Sequence, residues 1–157
     1  MPKLPALVAA TATYTGTGVF TDTQTVVIGG KTYTSQTTLT NVDGNFYKGA
    51  TQAEGHANLA AAVNLGAGAG TAYAAAMTAN TQVEASPAAD ATHTYFTARL
   101  KGALGNQIAT TETQTNGSFG GTTMSGGSGS LYGAITDIQA YGQVNSDIEQ
   151  ALENLLS

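Results

Sequence analysis

Cysteine and tryptophan are both absent from the 157 residues, and charge is scarce. Without cysteine there is no disulfide framework, no thiolate nucleophile and no cysteine metal site. Charged side chains make up 10% of the chain, against about 25% in an average soluble domain. Only five are basic, and Lys3, Lys31, Lys48, Arg99 and Lys101 are scattered. Nucleic-acid binding needs clustered cations to neutralise phosphates, so with a net charge of −5 no nucleic-acid partner is expected. No apolar run reaches the roughly 20 residues that cross a bilayer, and no membrane partner is expected either. The opening Met-Pro-Lys-Leu-Pro-Ala-Leu-Val-Ala-Ala resembles a signal peptide only faintly, because Pro5 breaks its apolar run, and cleavage after Ala10-Thr11-Ala12 is not expected.

Hydrophobic residues account for 41% of the chain, and Thr, Ala, Gly, Ser and Asn fill the place that charge leaves. Disordered chains are charge-rich and poor in β-branched residues, so a folded, β-rich domain is expected. A free monomer depends on interspersed surface charge for its solubility. A subunit surrounded by neighbours does not. The composition therefore points to a body whose surface is covered by other protein chains.

The expected class is α+β: a small β-rich body with a hairpin, one packed helix and further strands, an extended N-terminal arm and a C-terminal helix. Residues 1–24 show no helical period and read as an extended arm or short strands. Residues 25–121 form a β-α-β module, and residues 122–157 a Gly/Ser-rich connection, a strand and a helix. The clearest local signal is Thr25-Val26-Val27-Ile28, Gly29-Gly30, Lys31-Thr32-Tyr33-Thr34, two β-forming runs around a pair of glycines that can take positive φ. Residues 36–50 read as loop. Thr51-x-x-Glu54 is a capping box, and Leu59 and Val63 mark the buried face of the helix that follows. Residues 66–70 read as a flexible connection, 73–77 as helix or strand, and 82–85 as a short strand. His93 to Leu100 alternates, placing Phe96, Ala98 and Leu100 on one face. A turn at 102–106 leads to a strand over 107–113. Residues 116–130 read as a linker, or as loops ordered only by a partner, and 131–141 as a possible strand. Ser146-Asp147-Ile148-Glu149 is a second capping box. Its helix carries Ile148, Leu152, Leu155 and Leu156 at i, i+4, i+7 and i+8. Such an apolar stripe must dock on something, and these four are the candidate subunit-contact residues.

Chemistry is harder to place. Gly30-Lys31-Thr32 invites a phosphate-loop reading, but the required earlier glycine is Thr25 and a strand-like run follows the lysine. Gly66-Ala67-Gly68-Ala69-Gly70 lacks dinucleotide spacing, and Gly126-Gly127-Ser128-Gly129-Ser130 misses the nucleophile elbow at its last residue. His56 and His93 have no partner at metal-ligand spacing and read as surface or hydrogen-bonded histidines. Asp147, Glu149 and Glu153 fall in the first turns of a helix, where they suit its dipole; the other acids show no grouping. Asn116-Gly117-Ser118 reads as a turn rather than a glycosylation site. Tyr33, Tyr95 and Phe96 read as core or cross-strand partners in preference to a sugar platform. No catalytic residue, cofactor or metal is expected, and the chain is not expected to be an enzyme.

The order Thr25-Val26-Val27-Ile28-Gly29-Gly30-Lys31-Thr32-Tyr33, then Asn58-Leu59-Ala60-Ala61-Ala62-Val63-Asn64, then Lys101-Gly102-x-x-Gly105-Asn106-x-Ile108 resembles a small module of tailed-bacteriophage virion proteins. It is similar to stretches of tail-fibre and neck-associated proteins and to an inserted domain of Mu-like tail sheaths. The match spans roughly residues 25–121. The resemblance implies assembly rather than catalysis, a location in the virion after assembly in the host cytoplasm, and partners that are other virion proteins and copies of this chain. A fibre, fibre anchor or neck adaptor is the leading expectation. A head decoration protein is the alternative, and a host-surface carbohydrate-binding adhesin is the alternative from another class. A sheath subunit is disfavoured, because no long segment could form the sheath core.

Overall fold

The structure is a computed structural model that describes residues 6–129, together with residues 142–144, 146, 148–150, 152, 153 and 155. Its first organising feature is the glycine hairpin. Strand β2 (Thr25–Ile28) turns through Gly29 and Gly30, at φ 60° and 72°, into β3 (Lys31–Gln36). Two consecutive positive φ values make the primed turn that matches strand twist. Val26, Ile28 and Tyr33 point inward and are fully buried, while Val27 and Thr32 beside them lie on the outer face.

The remaining elements are β1 (Ala9–Gly16), β4 (Asn45–Tyr47), α1 (Gln52–Asn64), β5 (Val83–Pro87), β6 (His93–Lys101), a 3₁₀ turn (Ala103–Gln107), β7 (Thr110–Glu112) and β8 (Gly117–Phe119). They form two four-stranded sheets, ordered β5-β6-β1-β8 and β4-β3-β2-β7. All pairings are antiparallel except β3 with β4. The α+β class expected from the sequence is the class observed.

Between the arm and the short strands that the sequence allowed for residues 1–24, the structure corrects the arm. Residues 9–16 are an inner strand paired to β6 on one side and β8 on the other. Ala10 and Tyr14 face the core and the intervening threonines face out. Alanine and threonine differ too little in hydropathy for that alternation to stand out in the sequence.

The second correction concerns the Gly/Ser/Thr stretch. Residues 117–129 are ordered by the chain's own body. Beyond β8, the Met124 amide donates to Ile108 O at 2.9 Å, Thr11 and Ser125 exchange both backbone bonds, and Val8 and Ser128 do the same. The Asn106 side chain holds Gly127 by its amide and its carbonyl. Met124 is buried. Small residues here allow close backbone approach. A Cβ at Gly127 would lie 2.5 Å from Gly102 O. Residues 36–50 include β4 in addition to loop, and 73–77 form neither helix nor strand, although Tyr73 is buried. The strand expected over 131–141 lies outside the described residues.

Helix α1 begins as the capping box predicts, with Thr51 Oγ1 accepting from the Glu54 amide at 3.2 Å. Glu54 reaches back to the Ala50 amide at 2.8 Å, one residue before the cap. The helix ends at Leu65, which takes a left-handed φ of 52° and donates its N–H to Ala61 O. Leu59 and Val63 are buried as expected. The helix sits against β4, β5 and β6, and an aromatic cluster of Tyr14, Phe20 and Phe46 fills the space beneath it.

Candidate functional site

The two histidines are the natural first place to look for chemistry. His56 was expected on the surface or with its bonds satisfied, and neither holds. It is 0% exposed, with Nδ1 2.7 Å from Thr94 Oγ1 and Nε2 without a hydrogen-bond partner. Tyr14 and Phe20 pack its ring at centroid distances of 5.8 and 5.2 Å, and a Cβ at Gly16 would lie 2.5 Å from Nε2. Burial is the main cause holding its pKa down, to about 4; the nearby His93 lowers it further and Asp90 partly offsets this. A general base needs access to substrate, and this ring has none. Its fit is that of a core side chain.

His93 sits at the start of β6, where Nδ1 lies 2.9 Å from Asp90 Oδ2 and its ring stacks on Tyr95. The Thr92 amide and then His93 hold the Asp90 carboxyl down to about 2. Among the described residues, no three His, Cys, Asp or Glu side chains come together as a metal site. No helix among them is long and apolar enough to cross a membrane.

The sheet edges show where contact with another chain can and cannot occur. On the free edge of β5, the outward-facing groups of Val83 are taken by the side chains of Asn80, which accepts its N–H, and Arg99, which donates to its carbonyl. Asn64 takes those of Ala85. Pro87 has no N–H to offer. On the β4 edge, Tyr47 N donates to Ala72 O and Ala74 N to Asn45 O. Unpaired strand edges invite added strands, and these two are filled from within. That device was not legible in the sequence, because the groups involved, the side chains of Asn64, Asn80 and Arg99 and the backbone of Ala72 and Ala74, come from four separate segments.

Side-chain surfaces remain. Of the four predicted contact residues, Ile148, Leu152 and Leu155 are helical and solvent-facing, Leu155 at 89% exposure; Leu156 and Asp147 lie outside the described residues, and because residues 142–144 are already helical, Ser146 lies inside the helix and does not cap it as the second capping box predicted. Val144, one turn before Ile148, is exposed with them.

A second apolar surface was missed. Leu100, placed by alternation on one face with the buried Phe96 and Ala98, is 59% exposed, and Leu104 on the 3₁₀ turn is 63% exposed. With Thr81, Gln82, Gly105 and Ile108 they line an open groove of about 320 Å³. Strand β6 ends in three exposed residues, so Leu100 does not share the burial of Phe96 and Ala98. The third surface is an open groove of about 560 Å³, whose walls include Thr11, Thr13, Phe119, Thr122, Thr123 and Ser125.

By fold the chain is an α+β protein with two mostly antiparallel sheets and one packed helix. Compared with family models, curated proteins and solved structures, it matches none.

Proposed function

We propose that this chain is a structural subunit of a tailed-phage virion, tail- or neck-associated as a fibre, fibre anchor or adaptor, that acts by packing against other subunits. The observation that carries the packing role is the solvent-facing apolar stripe Val144, Ile148, Leu152 and Leu155. A monomer gains nothing from placing such a row in water, and burying each leucine would contribute about 1.5–3 kcal/mol. The scarcity of charge and the threonine-rich outer faces of both sheets support the same reading. The virion assignment rests on the resemblance over roughly residues 25–121. Its test is mass spectrometry of purified particles fractionated into heads and tails. Recovery with tails at low copy number is expected, abundant recovery with heads would favour a decoration protein, and absence from both would end the proposal.

A carbohydrate-binding adhesin is the second reading, and one observation favours it. The threonine-lined groove at Phe119 offers hydroxyls beside an aromatic ring, the chemistry that holds a sugar. A glycan array separates the two readings, because pure assembly predicts no sugar binding.

A further inference from the structure

Strand β1 is paired on its β8 side at both ends and open in the middle. The Thr17 N–H donates to Asn116 O at 2.9 Å and the Thr11 N–H to Ser125 O at 2.7 Å, and Thr15 pairs with Ser118 between them. Backbone groups alternate along a strand, so the Thr13 N–H points to the same side. Among the described residues, no acceptor takes it. After Phe119 the chain leaves β1 for β7, where Thr122 O accepts from the Thr110 amide, Gly121 O from the Thr110 hydroxyl, and Ile108 O from the Met124 amide. It rejoins β1 at Ser125. The gap so formed is the open groove of about 560 Å³. Its lining is uncharged throughout: threonines, a serine, glycines, Ala12 and the Phe119 ring. Among the described residues, none of the hydroxyls of Thr11, Thr13, Thr122, Thr123 and Ser125 is spent on a protein partner. Elsewhere, Thr21, Thr25, Thr78 and Thr110 spend theirs within the protein.

We propose that this gap binds a short, uncharged sugar, one of whose oxygens accepts from the Thr13 N–H. This rests on the adhesin reading and gives it a ligand class and an anchor. A sugar hydroxyl donates and accepts at once, which suits a free N–H surrounded by unspent hydroxyls. The Phe119 ring, fixed edge-on by Tyr14, adds an apolar surface. The lining holds no cation for a carboxylate or phosphate and no carboxylate for an amine, and the net charge of −5 repels anions. A peptide strand does not fit, because Ser118 and Ser125 already occupy the ladder on either side of Thr13. The pairs at Thr11 and Thr15 stand about 14 Å apart, which limits what the gap holds to a short piece.

The test is a glycan array carrying neutral and acidic glycans, followed by nuclear magnetic resonance titration of the isotope-labelled full-length chain with the neutral glycan that binds best. The proposal expects neutral glycans to bind and the amide signals of Thr13, Gly120 and Gly121 to shift. Thr13→Val and Thr123→Val should each weaken binding several-fold. Gly120→Leu should abolish it, and because a Cβ at Gly120 meets nothing within 4 Å the fold tolerates the change. Binding of acidic glycans alone, or neutral binding with shifts confined to other surfaces, overturns this site and leaves the adhesin reading standing. Neutral binding that all three variants retain does the same. No binding to any glycan overturns both.

Discussion

Asn64 clasps the backbone of Ala85 from both sides, accepting its N–H at 2.9 Å and donating to its carbonyl at 2.5 Å. The last residue of α1 thereby completes the hydrogen bonding of an edge strand. Helix packing and edge protection are one device here. Asn64→Ala removes both bonds and should lower stability by about 1–3 kcal/mol, read from the urea midpoint. Asn64→Asp keeps an acceptor and should cost less. Equal, negligible losses would show that the clasp contributes nothing.

The buried His56 sets an acid limit on stability. Its folded pKa of about 4 lies below the unfolded value near 6.5, so between those values the unfolded chain binds the extra proton. Stability from this group is complete above pH 6.5 and is lost as pH falls toward 4. The total loss is about 3 kcal/mol at ~1.4 kcal/mol per pH unit. Asp43 acts in a lower window. Burial alone would raise its pKa, but hydrogen bonds from Lys31 and Thr78 outweigh that and hold it at about 2. Its contribution is lost below pH 4. Urea titrations at a series of pH values should show the first slope, and His56→Gln should flatten it between pH 4 and 6.5. A slope unchanged by that substitution would assign the acid sensitivity elsewhere.

Gly55 gives a test with opposed signs. In an exposed helix interior, glycine to alanine stabilises by about 1 kcal/mol. Here a Cβ would lie 2.5 Å from Lys48 O and 2.6 Å from the Phe20 ring. Gly55→Ala should therefore destabilise, by about 1–3 kcal/mol as overpacked cores do. A stabilised variant would mean that Phe20 does not pack beneath the helix.

Hydrogen exchange decides the status of the glycine-rich stretch. The amides of Met124, Ser125 and Ser128 donate to Ile108, Thr11 and Val8. They should exchange slowly in the isolated chain, on the timescale of the β1 and β6 amides. Exchange at the rate of free peptide would return residues 122–129 to the role of linker.

Local signals carried much of this fold. Gly29-Gly30 between two β-branched runs dictates a hairpin because both residues must take positive φ, and Thr51 with Glu54 dictates a helix start because first-turn amides need acceptors. The leucine stripe of the C-terminal helix is equally local, since periodicity alone places Ile148, Leu152 and Leu155 on one face. The sequence determined these because each depends on neighbours within a few residues. Tertiary structure alone decided that residues 9–16 run through the middle of a sheet, that the 117–129 stretch is bonded into the body, and that His56 is sealed under Phe20. It also decided that Leu100 and Leu104 lie open along one groove. Each of those outcomes comes from pairing between segments tens of residues apart, where the burial of a side chain is set by what the fold brings over it and not by its own chemistry.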